Sequence, residues 1–287
     1  MPLRLGNRTF GDHELVVMAI VNRTPDSFYD RGATYALDAA RAAVDRAVAE
    51  GAGIVDIGGV KAGPGDPVDV AEELRRTAGL VAAVRDRHPG VVISVDTWRA
   101  AVGRAVLAEG ADLINDTWGG TDPALAGVAA AAGAGLVCAH AGGLAPRTRP
   151  HRVGYPDVVA DVIATVTGLA ERAVAAGVRR DGILIDPAHD FGKNTWHSLE
   201  VTRRLGELTA TGWPVLVSLS RKDFLGETLN LPPGERLEGT LAATAVSAWL
   251  GARVFRAHDV AATRRVLDTV ACLLGTRAPA MVRRGLA

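Results

Sequence analysis

The chain has 287 residues, 48% hydrophobic and 22% charged, with 32 basic residues matched by 32 acidic ones and a pI near 7.1. That length buries a large core, and the neutral balance gives no long-range field for nucleic acid or a membrane surface. Two distant cysteines, Cys138 and Cys272, form neither a disulfide framework nor a CxxC zinc motif. Cys138 lies inside an apolar run and reads as a buried, inert thiol. No run approaches the ~18 apolar residues of a membrane span, and Met1-Pro-Leu-Arg-Leu-Gly6 has no signal-peptide pattern, so a cytoplasmic protein is expected.

Residues 15–21 carry no charge and predict a strand buried on both faces. It ends at Asn22, and Pro25 in the next loop forbids continued pairing. Residues 35–50 are alanine-rich at helical spacing, with Gly51 as a stop. A short strand at 54–57 leads through Gly58-Gly59 and a Pro/Gly loop to a helix at 70–87. Pro89-Gly90 breaks that helix, and a strand at 91–95 closes on Asp96.

The unit then repeats. Helices are expected at 99–109, 123–132, 157–176, 196–209, 236–250 and 261–274, with strands at 112–115, 135–139, 183–185, 214–217 and 253–255. The long polar loop 142–154 contains Arg147-Thr-Arg-Pro-His-Arg152, a candidate anion site if it is not an ordinary solvated loop. Eight strand-then-helix units in a chain of this length predict a (β/α)8 TIM barrel, with residues 1–287 as one domain. An open doubly wound sheet is the alternative, although no GxGxxG fingerprint supports it.

Each strand ends on a polar residue: Asn22, Asp56, Asp96, Asn115, His140, Asp186, Ser218 and Arg256. Strand C-termini in such barrels converge on one mouth, so these groups are expected to ring a pocket. Asp56, Asp96, Asp186 and Asn115 suit a polar heterocycle, because carboxylates pair with an N–C–N edge such as a 2-aminopyrimidinone presents. Lys222, Arg256 and His258 suit phosphate, and Ser220-Arg-Lys222 follows the seventh strand, where barrel enzymes frequently bind it. Lys193 and Lys222 leave a Schiff-base alternative open.

Asn22-Arg-Thr-Pro-Asp-Ser-Phe28 resembles the NxTPDSF signature of dihydropteroate synthases. Asp56-Ile-Gly-Gly59, Ser94-Val-Asp-Thr97, Asn115-Asp116, Asp186-Pro-Ala-His-Asp-Phe-Gly-Lys193, Ser220-Arg-Lys222 and Arg256-Ala-His-Asp259 are similar to the family's remaining motifs, in order. The resemblance spans essentially the whole chain. It implies a (β/α)8 homodimer that condenses 6-hydroxymethyl-7,8-dihydropterin diphosphate with p-aminobenzoate, using Mg2+, in folate synthesis. Sulfonamide-like analogues are implied as further ligands, and neither nucleic acid nor membrane is. By that resemblance Asp56, Asp96, Asn115, Asp186, Phe191 and Lys222 bind pterin. Asn22, Arg256 and His258 bind diphosphate, with Asn22 also a Mg2+ ligand, and Phe28 and Ser220 face the second substrate.

The departures gather in one place. After Gly59 the family usually continues Glu-Ser-Thr-Arg-Pro-Gly, where this chain has Val60-Lys-Ala-Gly-Pro-Gly65. Gly63 stands in the arginine's place and Ala62 in the threonine's. Losing a charge-assisted contact of that kind costs about 1.5–3 kcal/mol. Ala139 replaces a methionine, while Asp190 and Ser218 replace glycines. Lys61 lies two positions before the missing arginine and would point the same way in an extended loop, toward the diphosphate. Val60 to Gly65 together with Ala188-His-Asp190 looks like the family's divergent second copies, which implies weak or no synthase activity. A fully active synthase and a methyltetrahydrofolate-binding barrel are the alternatives.

Overall fold

Side-chain alternation along eight parallel strands decides what lies inside this molecule and what lies between sheet and helices. The computed structural model describes residues 1–24, 35–148 and 154–285. The chain begins with an antiparallel hairpin, β1 (Leu3–Leu5) and β2 (Arg8–Phe10), turned at Gly6 with φ +52. Eight strands follow: β3 (Val16–Asn22), β4 (Ile54–Gly58), β5 (Val92–Asp96), β6 (Leu113–Asp116), β7 (Gly135–Ala139), β8 (Ile183–Asp186), β9 (Leu216–Ser218) and β10 (Val254–Ala257). They pair in the order β8-β7-β6-β5-β4-β3-β10-β9, and a parallel bridge between Ile185 and Val215 joins the two ends. The result is the expected (β/α)8 barrel.

The helices wrap outside: α1 (Leu37–Ala49), α2 (Val70–Arg87), α3 (Ala100–Ala108), α4 (Leu125–Ala131), α5 (Val158–Ala175), α6 (Thr195–Arg203), α7 (Leu205–Thr209), α8 (Asp223–Leu229), α9 (Leu237–Trp249) and α10 (Val260–Leu273). Three of their starts carry a local side-chain cap. Asp69 accepts from the Glu72 N–H, Asp157 from Val159 and Ala160, and Asn194 forms a capping box with His197.

Two buried clusters record the alternation. Val17, Ala19, Val21, Val55, Ile57 and Ile93 face the helices. Val16, Met18, Ile54, Val92, Leu113 and their counterparts on the other strands point inward, where Leu3, Leu5 and Phe10 of the hairpin close the floor. With a period of two, the inward positions above that floor are Asn22, Asp56, Asp96, Asn115, Ala139, Asp186, Ser218 and Arg256. The polar ring therefore stands on an apolar base.

The elements differ from expectation in three places. The sequence predicts no hairpin at the N-terminus, because two three-residue strands carry too short a pattern. The helix expected at 196–209 breaks at Arg204 (φ −100, ψ 17), next to Gly206, a poor helix former. Helix α8 was not anticipated; it ends at Asn230 in the left-handed region, φ 55. Cys138 faces the helices and is buried, with its thiol pushed up to about 12 by burial, as expected of an inert cysteine.

Candidate functional site

A cavity of about 400 Å³ opens at the C-terminal mouth of the barrel, and its walls include Asn22, Asp96, Asp186, Phe191, Lys222 and Arg256. Asp56 and Asn115 sit behind this surface with no exposure. Asp56 accepts from the Ser94 hydroxyl (2.6 Å), from Nδ2 of Asn115 (3.1 Å) and from Nε of Arg256 (2.6 Å). Arg256 also reaches Oδ2 of Asp96 at 3.3 Å. One guanidinium thus bridges two carboxylates inside the barrel. Asn115 Oδ1 is buried and has no hydrogen-bond partner among the described residues. Such an orphaned acceptor costs about 1–3 kcal/mol unless a donor arrives.

Burial pushes the Asp96 carboxyl up to about 7, with Arg256 pulling the other way and Asp56 adding to the rise. Thr117 donates to its Oδ1 at 3.1 Å. Asp186 is also raised by burial, opposed chiefly by Lys222, and accepts from the Ala188 N–H at 2.7 Å. Lys222 has its pKa lowered by burial, donates to the His189 carbonyl, and holds its ammonium 4.9 Å from the Phe191 ring centre. Phe191 in turn packs edge-on against Trp118, with centroids 5.1 Å apart.

Across the mouth, the Ser220 hydroxyl and Nδ1 of His258 lie 2.9 Å apart, and the His258 N–H donates to the same hydroxyl at 3.2 Å. Arg221 belongs to the scaffold. It grips Asp259 through two bonds of 2.9 and 3.0 Å and donates to the Pro233 and Gly234 carbonyls. Asn22 lies against Gly58, where a Cβ would stand 2.9 Å from the Asn22 Oδ1. A side chain at that glycine would displace Asn22.

Asp190 has φ +69, and its Oδ2 accepts from the N–H groups of Asp223 (2.7 Å) and Phe224 (3.4 Å), so it caps α8. Burial raises its pKa and Lys222 opposes that rise. Ser218, the other side chain replacing a family glycine, stands on the cavity wall. Val60, Lys61, Ala62 and Gly63 form one lip of the mouth.

One expected member of the ring lies elsewhere. His140 follows β7, whose inward position is Ala139, and it is fully buried away from the cavity wall. Its Nδ1 accepts from Lys193 Nζ at 2.6 Å, and its Nε2 lies 2.7 Å from Asp161 Oδ1. Burial, then the Lys193 charge, pushes His140 down to about 4. Lys193 also donates to the carbonyls of His140, Ala188 and Phe191, at 3.2, 3.3 and 2.9 Å. It is itself lowered to about 7 by burial. It pins the segment carrying Asp186 and Phe191 and is no wall residue, so the Schiff-base alternative has no geometric support at Lys193. Arg23 likewise turns from the cavity and donates to the carbonyls of Tyr35 and Arg76. Phe28 lies outside the described residues.

Trp118 and Thr117 were missed in the sequence. Their signal is the run Asn115-Asp-Thr-Trp118, where Asp116 accepts from the N–H groups of Trp118 and Gly120 and aims the loop inward.

This fold and ring define a pterin-binding barrel. The family described as pterin binding enzyme matches residues 18–258, and the chain belongs to it. An inactive dihydropteroate synthase 2 of Mycobacterium leprae is 60% identical over 286 residues, 98% of each chain. The dihydropteroate synthase of Haemophilus influenzae is 37% identical, over 88% of this chain and 91% of that protein. A crystal structure of Yersinia pestis dihydropteroate synthase with a sulfonamide drug superposes with a TM-score of 0.91 at 35% identity, covering 96% of this chain and all of that one.

Proposed function

We propose that this chain is a divergent dihydropteroate synthase paralog that binds a reduced pterin in the barrel mouth and has weak or no synthase activity. One contrast carries the reading. The ring of Asp56, Asp96, Asn115, Asp186, Lys222 and Arg256 is complete, while the Val60–Gly63 lip of the same cavity has neither the threonine nor the arginine.

Asp96 and Asp186 accept from the pterin N–C–N edge, and Asn115 stands behind them, donating to Asp56. Phe191 and Trp118 supply the apolar wall. Arg256 and His258, with Asn22, face the diphosphate end, and Lys61 on the lip adds a point charge there. Asn22 on the cavity wall offers one amide oxygen for Mg2+. That ion usually takes one or two protein oxygens and completes its shell from phosphate and water, so Asn22 is the protein ligand here. Bound there it would neutralise charge on the leaving diphosphate. Ser220 would face p-aminobenzoate or a sulfonamide.

Val246, Trp249 and Leu273 leave large apolar surfaces exposed on the adjacent helices α9 and α10, at 48, 59 and 70%. A second copy of the chain would cover them in a homodimer, which sedimentation equilibrium tests. No helix among the described residues is long and apolar enough to cross a membrane, and the cytoplasm is the proposed site of action.

The test is direct. Purified protein is given Mg2+, 6-hydroxymethyl-7,8-dihydropterin diphosphate and p-aminobenzoate, with pterin binding followed by calorimetry. Binding with turnover far below ~1 s⁻¹ is expected. Turnover near that rate makes the chain an active synthase, and absence of both binding and turnover assigns the pocket to another ligand.

A further inference from the structure

Arg147 reaches across the mouth to the backbone of Gly63. It comes from the loop between β7 and α5, yet its side chain crosses to the lip between β4 and α2. Its Nε donates to the Gly63 carbonyl at 3.3 Å and its Nη1 to the Asp66 carbonyl at 2.7 Å. The backbone is held at φ +66, a region that non-glycine residues enter at a cost and keep only when their surroundings demand it. Thr148, the next residue, lines the cavity together with Val60, Lys61, Ala62 and Gly63. The guanidinium is therefore held beside the Gly63 lip, next to the cavity wall rather than in it.

The partners of Arg147 are carbonyls, which orient a cation without neutralising it. Among the described residues no carboxylate pairs with it. The neighbouring arginines are paired with carboxylates: Arg76 with Glu72, Arg99 with Glu73, Arg221 with Asp259 and Arg256 with Asp56. A guanidinium has five N–H donors, and the lip takes two of those on Arg147. What remains is a fixed, half-buried positive charge with donors left over, the arrangement that suits phosphoryl oxygens.

We propose that Arg147 is an anion-binding residue of this pocket, taking the terminal phosphoryl group of a diphosphate-bearing ligand. The cation that the family places at the position of Gly63 is here delivered by a different loop. This rests on the reading of the cavity as a pterin diphosphate pocket, and it assigns the diphosphate end a residue that family motifs do not mark.

Calorimetry on the full chain with three probes separates the two ideas: inorganic pyrophosphate, 6-hydroxymethyl-7,8-dihydropterin, and its diphosphate. Arg147→Ala is expected to weaken pyrophosphate and the pterin diphosphate by about tenfold or more, and to leave the phosphate-free pterin within about twofold. Arg147→Lys should recover part of the loss, because it restores charge without the fork. Equal losses for all three probes would reduce Arg147 to a loop clamp and overturn the proposal, as would no loss at all. Wild-type protein that binds the pterin but not pyrophosphate sinks this inference alone. Arg147-dependent pyrophosphate binding without pterin binding upholds it and removes the pterin reading. Binding of no probe removes both.

Discussion

Arg256 holds its Nε 2.6 Å from Oδ2 of Asp56, a carboxylate with no exposed surface. Removing one member of such a pair leaves the other charged and dry. Arg256→Met is therefore expected to cost about 3–5 kcal/mol in urea unfolding. The double variant Asp56→Asn/Arg256→Met should recover much of that loss, since neither group is then stranded. Additive losses would show that the two do not act as a pair.

Asp96 supplies a pH dependence. Its folded pKa, about 7, lies above the ordinary aspartate value because it is buried. The sign follows from proton affinity: Asp96 stabilises the fold at low pH, and that contribution is lost as pH rises through about 7. Recognition of an N–C–N edge needs the ionised carboxylate. Pterin binding at about pH 6 should then release a proton, and affinity should fall as pH drops below about 7. Calorimetry in buffers of different ionisation enthalpy reads both effects, and Asp96→Asn should abolish the release. A pH-independent affinity between about pH 6 and 8 would detach Asp96 from the pterin.

Asp190 gives a comparison between two small substitutions. Asp190→Ala loses the cap on α8 and keeps φ +69, so about 1–2 kcal/mol should go. Asp190→Gly loses the same cap but relieves the backbone, and its net effect should stay under about 1 kcal/mol. Thermal unfolding ranks them. If alanine is tolerated as well as glycine, the left-handed backbone is not being held there by the side chain's neighbours.

Lys193→Met tests the buried relay. Lys193 helps hold His140 near 4, so removing the charge should raise the His140 pKa toward 6.5, the ordinary value. A proton NMR titration of the imidazole reads this. An unchanged His140 would mean burial alone sets its value.

Most of the barrel could be read from periodicity, because charge-free strands such as Val16–Asn22 alternate with helices of regular spacing. The ring was readable for a related reason: a strand that ends on Asp96 or Asp186 has already fixed the parity of its inward face. Parity also explains the error at His140. One residue beyond Ala139, it belongs to the opposite face and to Lys193. Arg147 was legible only as one basic residue in a cluster, because contacts spanning 84 residues leave no local pattern. The same holds for Arg23, whose acceptors are distant carbonyls rather than side chains.

The hairpin under the barrel has a consequence for traffic. Among the described residues, Leu3, Leu5 and Phe10 close the floor of the barrel, and the cavity opens at the strand C-termini. Two molecules stacked along the barrel axis would enter in sequence, the deeper one first. The floor would thereby set an order of loading on ligands stacked in this way, whether or not they ever react.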